Sequence, residues 1–217
     1  MFYLRHLGFS CAAPSVNMAA DEGAFDRAVL HPDRATLRFF AFDRRCVSIG
    51  RNQRVRLLPP GMLSDGIEVV RRPTGGGAVL HDGDLCYSLV MPEAYLDRNG
   101  SLLASYRLIT DGIRRGFGLC GVALEYGHVE NGPIDALCFD NAMTHELTLH
   151  GKKLVGSAQR RAKGVLLQQG SIMDVHHVPR ERLIRALSDG LKASLCAEYV
   201  YGPLTPEEIA GAACPAA

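Results

Sequence analysis

Three consecutive glycines, Gly75–Gly77, stand between two apolar runs within Arg71–Ser88, RRPTGGGAVLHDGDLCYS. Glycine loses more conformational freedom on folding than any other residue and offers no side chain to pack. A triplet therefore persists where the backbone must take φ > 0 or let another group come close. Val69 and Val70 lead in, Arg71 and Arg72 precede the loop, and His81-Asp82-Gly83 ends the strand-like Ala78–Leu80. A tight hairpin turn is one reading; a bare-backbone cradle flanked by two cations and a histidine is the other. The common nucleotide loops do not fit. Counting from Gly75, the sixth place of a dinucleotide fingerprint is Leu80, and the chain holds no Gly-Lys-Ser/Thr triplet.

With 217 residues, 47% of them hydrophobic and 22% charged, the chain can bury a proper core and reads as one domain, 1–217, with no C-terminal accessory domain. A net charge of +1 gives no overall attraction to nucleic acid or to a membrane. Seven cysteines, an odd number without a Cys-x-x-Cys pair, argue against a disulfide framework and against a zinc ribbon, and no metal is expected. The opening MFYLRHLGFS is not a basic region followed by a long apolar stretch, and no run approaches a membrane span, so the expectation is a cytoplasmic protein with reduced thiols.

Along the chain, Phe2–Leu7 predicts a strand. Asn17–Leu30 predicts a helix with Met18, Phe25 and Val29 on one face and Asp21, Glu22, Asp26 and Arg27 on the other. Thr36–Phe42, Cys46–Gly50 and Ile67–Arg72 predict strands, and Ala78–His81 and Leu85–Met91 a pair around Asp82-Gly83. Ser101 is a good N-cap for a helix carrying Leu102, Tyr106, Ile109, Ile113 and Phe117 at intervals of three and four. Val122–Tyr126, His145–His150, Lys153–Gln159 and Val165–Ile172 read as strands, and Glu130–Ala142 as a loop with Cys138 in its middle. Pro179 opens a helix with Leu183, Leu187, Leu191 and Leu195 four apart, and Thr205-Pro206-Glu207-Glu208 has the form of a capping box. Strands mostly follow strands, which predicts an α+β fold with a mixed, largely antiparallel sheet flanked by helices.

RRPTGGGAVLHDGDLCYS and GKKLVGSAQRRAKGVLLQQGSI together resemble the two signature segments of the biotin/lipoate protein ligase and octanoyltransferase family. NMAADE and LRFFAFDRRCVSIGRNQ are similar to that family's opening helix and strand-to-loop motif, so the resemblance runs from about Asn17 to about Asp174. It implies a class II synthetase-like catalytic domain. It also implies that Gly75, Gly76 and Gly77, with Arg72, enclose an acyl group together with Gly156, Ser157 and Ala158, while His81 positions the acyl carbonyl or the incoming amine or else bonds the adjacent turn. Lys153, at the place of the family's lysine, would aim an ammonium at the oxyanion that develops when the acyl carbon is attacked. Gln169 stands where the family usually carries a histidine.

The resemblance also bears on mechanism. ATP-dependent ligases of the family carry an Asn-Asp pair ahead of the lysine, holding adenylate and magnesium; the comparable place here is His145-Glu146-Leu147. CFDNAMTHELTLHGKK is similar instead to the cysteine-dependent octanoyltransferases, with Cys138 as nucleophile ahead of Lys153. The activity this likeness implies is octanoyl (or lipoyl) transfer from acyl carrier protein to a lysine of an apo lipoyl domain or glycine-cleavage H-like protein, with no cofactor. An ATP- and magnesium-dependent lipoate–protein ligase is the alternative, and a non-catalytic binder of lipoyl domains or biotin-like ligands the second. Arg160, Arg161 and Lys163 form a basic cluster able to receive an acidic carrier domain, or else a solvated turn.

Overall fold

A computed structural model describes residues 2–31, 35–58, 62–63, 66–96, 101–128, 143–173 and 177–202. In chain order run β1 (Phe2–Ala12), α1 (Pro14–Leu30), β2 (Ala35–Phe42), β3 (Cys46–Ile49), β4 (Glu68–Arg71), β5 (Val79–His81) and β6 (Leu85–Pro92). Then come α2 (Leu102–Leu119), β7 (Glu125–Tyr126), β8 (Leu147–Leu149), β9 (Lys152–Ala162), β10 (Val165–Ile172), α3 (Arg180–Leu195) and β11 (Ala197–Tyr201).

β6 and β10 are buried at every position and β2 at all but its last, so both faces of these strands must be covered. They become the middle of an eight-stranded sheet, ordered β11-β1-β2-β6-β10-β9-β8-β7. β1 runs parallel to β11 and to β2, and the remaining pairs are antiparallel. Alternation along β6 sorts the two faces. Leu85, Tyr87, Leu89 and Met91 enter a core with Ile109, Ile113 and Phe117 of α2 and Leu183, Leu187 and Leu191 of α3. Val90 packs under Ala24, Phe25 and Ala28 of α1, and Cys86 under Met18. β4, β3 and β5 form a separate three-stranded sheet, with β3 parallel to β4 and antiparallel to β5.

The α+β class, the mixed sheet and both long later helices match the sequence reading. Ser101 caps α2 through its hydroxyl, which accepts from the Ala104 N–H. Four details differ. α1 begins at Pro14 rather than Asn17, because a proline with its φ preset suits a first turn. Asp21, expected on the solvated face of that helix, is fully buried because a buried arginine needs it. β5 and β6 do not pair across Asp82-Gly83: β5 is used by β3 and β6 by β2 and β10. β11 has no counterpart among the predicted strands; Cys196, in the left-handed region at φ 49°, turns the chain out of α3 into it. The capping-box segment at Thr205 lies outside the described residues.

Candidate active site

The glycine loop is built by arginines. Beyond β4 the Arg72 N–H donates to the Ile49 carbonyl at 2.9 Å, and the Arg51 N–H donates to the Thr74 carbonyl at 2.8 Å. The buried Arg72 guanidinium then curls back on its own loop. Nε and Nη2 donate to the Gly75 carbonyl at 3.1 and 2.5 Å, Nη2 also to the Gly77 carbonyl at 2.7 Å, and Nη1 to the Ser48 carbonyl and Oγ, each at 3.2 Å. Arg72 thus shapes the cradle, and these donors point at the protein's own oxygens. Arg71 does the same from outside, donating to the carbonyls of Gly50, Arg51 and Gln53. Gly76 takes φ +88°, and Gly75 faces open space.

Beside this loop lies a small, half-open cleft with about 40 Å³ of free space. Met18, Phe40, Phe42 and Val79 make its apolar wall; Arg72, His81, Ser48, Gln169 and Ser171 bring polar atoms to it. Gly156, Ser157 and Ala158 line it as the sequence led us to expect. The Ser157 hydroxyl, however, bonds the Tyr87 hydroxyl at 2.9 Å, and Tyr87 lies on the α2–α3 side of the sheet.

Gln169 ties the glycine loop to the sheet. Its Oε1 accepts from Thr74 Oγ1 at 2.7 Å and its Nε2 donates to Asp21 Oδ2 at 2.6 Å. Asp21 in turn accepts from Arg38 Nε and Ser88 Oγ, both at 2.6 Å. Sequence reading missed Asp21 and Arg38 because nothing local distinguishes a buried ion pair from two surface charges.

Lys153 owes its direction to an irregularity. Leu147 pairs with Val155, but Thr148 pairs with Lys153, so β9 holds one extra residue, Leu154, between them. Directly opposed residues point the same way, and Leu147 and Val155 enter the α2–α3 core. The bulge therefore turns Thr148 and Lys153 to the opposite face, the one that carries Gly156, Ala158 and the cleft. A regular strand would have sent Lys153 into the core beside Val155. Its Nζ lies 2.7 Å from Glu146 Oε2, both side chains being 3% exposed. Burial pushes the Glu146 carboxyl above its usual pKa, although the Lys153 ammonium pulls the other way. The Met143 N–H donates to the same carboxylate at 2.9 Å. His145, stacked on Tyr106 at 4.2 Å between centroids, is lowered to about 4 by burial and by Lys153 and Arg107.

His81 stands at the end of β5, its Nε2 2.8 Å from Ser48 Oγ and its Nδ1 2.7 Å from Asp84 Oδ2. The same oxygen accepts from Ser171 Oγ and from Cys86 Sγ. Burial would raise the Asp84 carboxyl, but the bonds from His81, Ser171 and Cys86 outweigh it and hold it below the ordinary range. His81, Asp84 and Cys86 place potential ligand atoms within 4.8 Å of one another. The three already engage one another, with Asp84 Oδ2 2.7 Å from His81 Nδ1 and 3.3 Å from Cys86 Sγ.

Cys138 lies outside the described residues. Of the others, Cys11, Cys46, Cys86, Cys120 and Cys196 are free thiols. The two arginines of the basic cluster at 160–163 are engaged locally. Arg160 pairs with Glu22 at 3.2 Å and covers the Phe25 ring, and Arg161 donates to Ser105. No helix among the described residues is long and apolar enough to cross a membrane.

The frame that positions this cleft is that of the lipoate ligases. A crystal structure of lipoate-protein ligase A bound with ATP matches it with a TM-score of 0.81 at 22% identity, over 98% of this chain and 93% of that one. A bi-partite lipoate protein ligase from Thermoplasma acidophilum, studied with its E2 lipoyl domain, matches with a TM-score of 0.72 at 21% identity, over 97% and 91%. The chain belongs to the lipoyl protein ligase A/B catalytic domain family, whose sequence pattern covers residues 13–180. It is 39% identical over 170 residues to octanoyltransferase LipM of an Exiguobacterium species, and 36% identical over 222 residues to octanoyltransferase LipM of Kyrpidia tusciae. These alignments cover 74% and 96% of this chain but 62% and 79% of the relatives.

Proposed function

We propose that this protein is an acyltransferase of protein lipoylation, moving octanoyl (or lipoyl) from the thioester of acyl carrier protein to a lysine of a lipoyl domain through Cys138. The observation that carries the reading is the buried ammonium of Lys153, turned by the bulge in β9 to the sheet face that also carries the cleft, though Lys153 does not itself line that cleft. Two relatives that bear the name octanoyltransferase support the reaction, and a neighbour studied with its E2 lipoyl domain supports the acceptor.

In this reading the acyl chain lies along Met18, Phe40, Phe42 and Val79. The Cys138 thiolate attacks the donor carbonyl and expels the carrier thiol, and the acceptor amine then attacks the enzyme thioester. Lys153 stabilises the oxyanion of each step, at about 3–4 kcal/mol for one such donor in a dry site. Glu146 holds that ammonium in place. Thioester exchange and amide formation need no nucleotide, and the carboxylate at the ligases' metal-binding place, Glu146, already faces Lys153 and the Met143 N–H. These partners fit a cytoplasmic enzyme.

The test is octanoyl-acyl carrier protein with an apo lipoyl domain, without ATP, read by the mass of the acceptor. One octanoyl group gained, and lost in Cys138→Ala, is expected. Modification that demands ATP and free lipoate and survives Cys138→Ala would make the protein a ligase; none under either condition would make it a binder.

A further inference from the structure

The transfer reading leaves one constellation in the cleft unused. Ser48 on β3, His81 on β5 and Asp84 after it are buried and linked nucleophile to base to carboxylate, at 2.8 and 2.7 Å. We propose that Ser48, His81 and Asp84 form a second acyl-accepting centre, a serine hydrolase site for medium-chain esters and thioesters.

A neutral His81 imidazole sets the direction of the relay: Asp84 accepts from Nδ1–H, which leaves Nε2 as the acceptor of the Ser48 hydroxyl. Ser48 Oγ in turn accepts from Arg72 Nη1 at 3.2 Å, a cation beside the oxygen that gives up its proton on attack. This is the tautomer and orientation a serine nucleophile requires. Ser171 Oγ and Cys86 Sγ hold the other side of the carboxylate and keep it from turning away. Ser48, Arg72 and His81 line the same cleft as Met18, Phe40, Phe42 and Val79, an apolar wall suited to a medium-length acyl chain.

In the reaction Ser48 Oγ bonds to the acyl carbon while its proton passes to His81 Nε2. The bond from acyl carbon to the leaving oxygen or sulfur breaks, and that atom takes the proton from His81. A water then attacks the Ser48 ester, giving its proton to His81; the free acid leaves and Ser48 regains a proton. Neither Cys138 nor Lys153 takes part, so the proposal stands or falls apart from the transfer reading.

Two measurements test it. The unaltered full chain is treated with an octyl fluorophosphonate, which bonds to an activated serine oxygen with loss of fluoride, and is digested and mapped by mass. Label on Ser48, absent in His81→Gln, is expected; a chain whose Ser48 stays unlabelled overturns the proposal. Release of 4-nitrophenolate from 4-nitrophenyl octanoate is then followed in Cys138→Ala protein with and without Ser48→Ala. At least a tenfold slower steady release on losing Ser48 is expected, and an equal rate refutes the relay. If Ser48→Ala does not fold, the labelling result decides alone.

Discussion

A methyl group added at Gly50 should disable the cleft without dismantling the fold. Gly50 follows β3 directly beneath the glycine loop, and a Cβ there would stand 2.2 Å from the Gly76 carbonyl oxygen and about as close as 3.1 Å to Gly75. A carbon–oxygen contact needs roughly 1 Å more than the closest of these. The obstacle is backbone, held by Arg72 through the Gly75 and Gly77 carbonyls, so it cannot swing aside as a side chain end would. Overpacking of this kind costs about 1–3 kcal/mol. For a chain of this size that lowers Tm by about 2–12 °C. If the loop yields instead, it drags the Arg72 guanidinium that lines the cleft by about 1 Å, a displacement that costs on the order of 100-fold in rate. Gly75→Ala is the counterpart: a Cβ there meets nothing within 4 Å and the residue has no positive φ, so the fold should accept it. If the bare backbone at Gly75 exists for an acyl group to lie against, Gly75→Ala should keep its Tm within about 1 °C and still lose transfer through a raised KM. Thermal unfolding beside acceptor-mass kinetics reads both variants. A Gly50→Ala protein with unchanged Tm and transfer would refute the packing argument, and an undiminished Gly75→Ala would refute the cradle.

Lys153→Met should slow transfer by about 100- to 1,000-fold and, by leaving the Glu146 carboxyl buried without its partner, lower stability by about 3–5 kcal/mol. The double change with Glu146→Gln should recover most of the stability in chemical denaturation but none of the rate; recovery of both would remove Lys153 from the chemistry. His145, lowered from 6.5 to about 4, binds fewer protons folded than unfolded, so its contribution is complete above pH 6.5 and is lost as pH falls towards 4. With the solvent screening of the part-buried ring, that contribution is about 1–2 kcal/mol. Unfolding by denaturant at pH 6.5 and 4.5 should show that loss in the natural chain and not in His145→Phe; equal losses would contradict it.

Much of the frame was readable because its signals are local. Ser101 ahead of a strong apolar stripe defines α2, and four leucines at intervals of four define α3. The glycine triplet, Arg72, His81 and Gly156–Ala158 were found as loop and strand motifs, and all but the triplet line one cleft. Boundaries moved where pairing partners rather than propensity decide: β5 and β6 resemble a hairpin in sequence, yet each pairs elsewhere. The reading of Asp21 as a solvated charge assumed exposure, which sequence does not report.

The amino-acid sequence by itself determined that backbone would be laid bare between two arginines and a histidine, that this would sit on an α+β frame, and that a lysine would follow on a later strand. Only the tertiary structure decided which way that lysine faces, since one extra residue in β9 reverses the alternation and the register depends on β8. Only the tertiary structure, too, joined Ser48 to His81 across 33 residues and Thr74 to Gln169 across 95. The reason is physical: a helix stripe or a turn is encoded by neighbours in the chain, whereas a hydrogen bond between distant strands is set by the packing of the whole sheet and leaves no periodic trace in either strand.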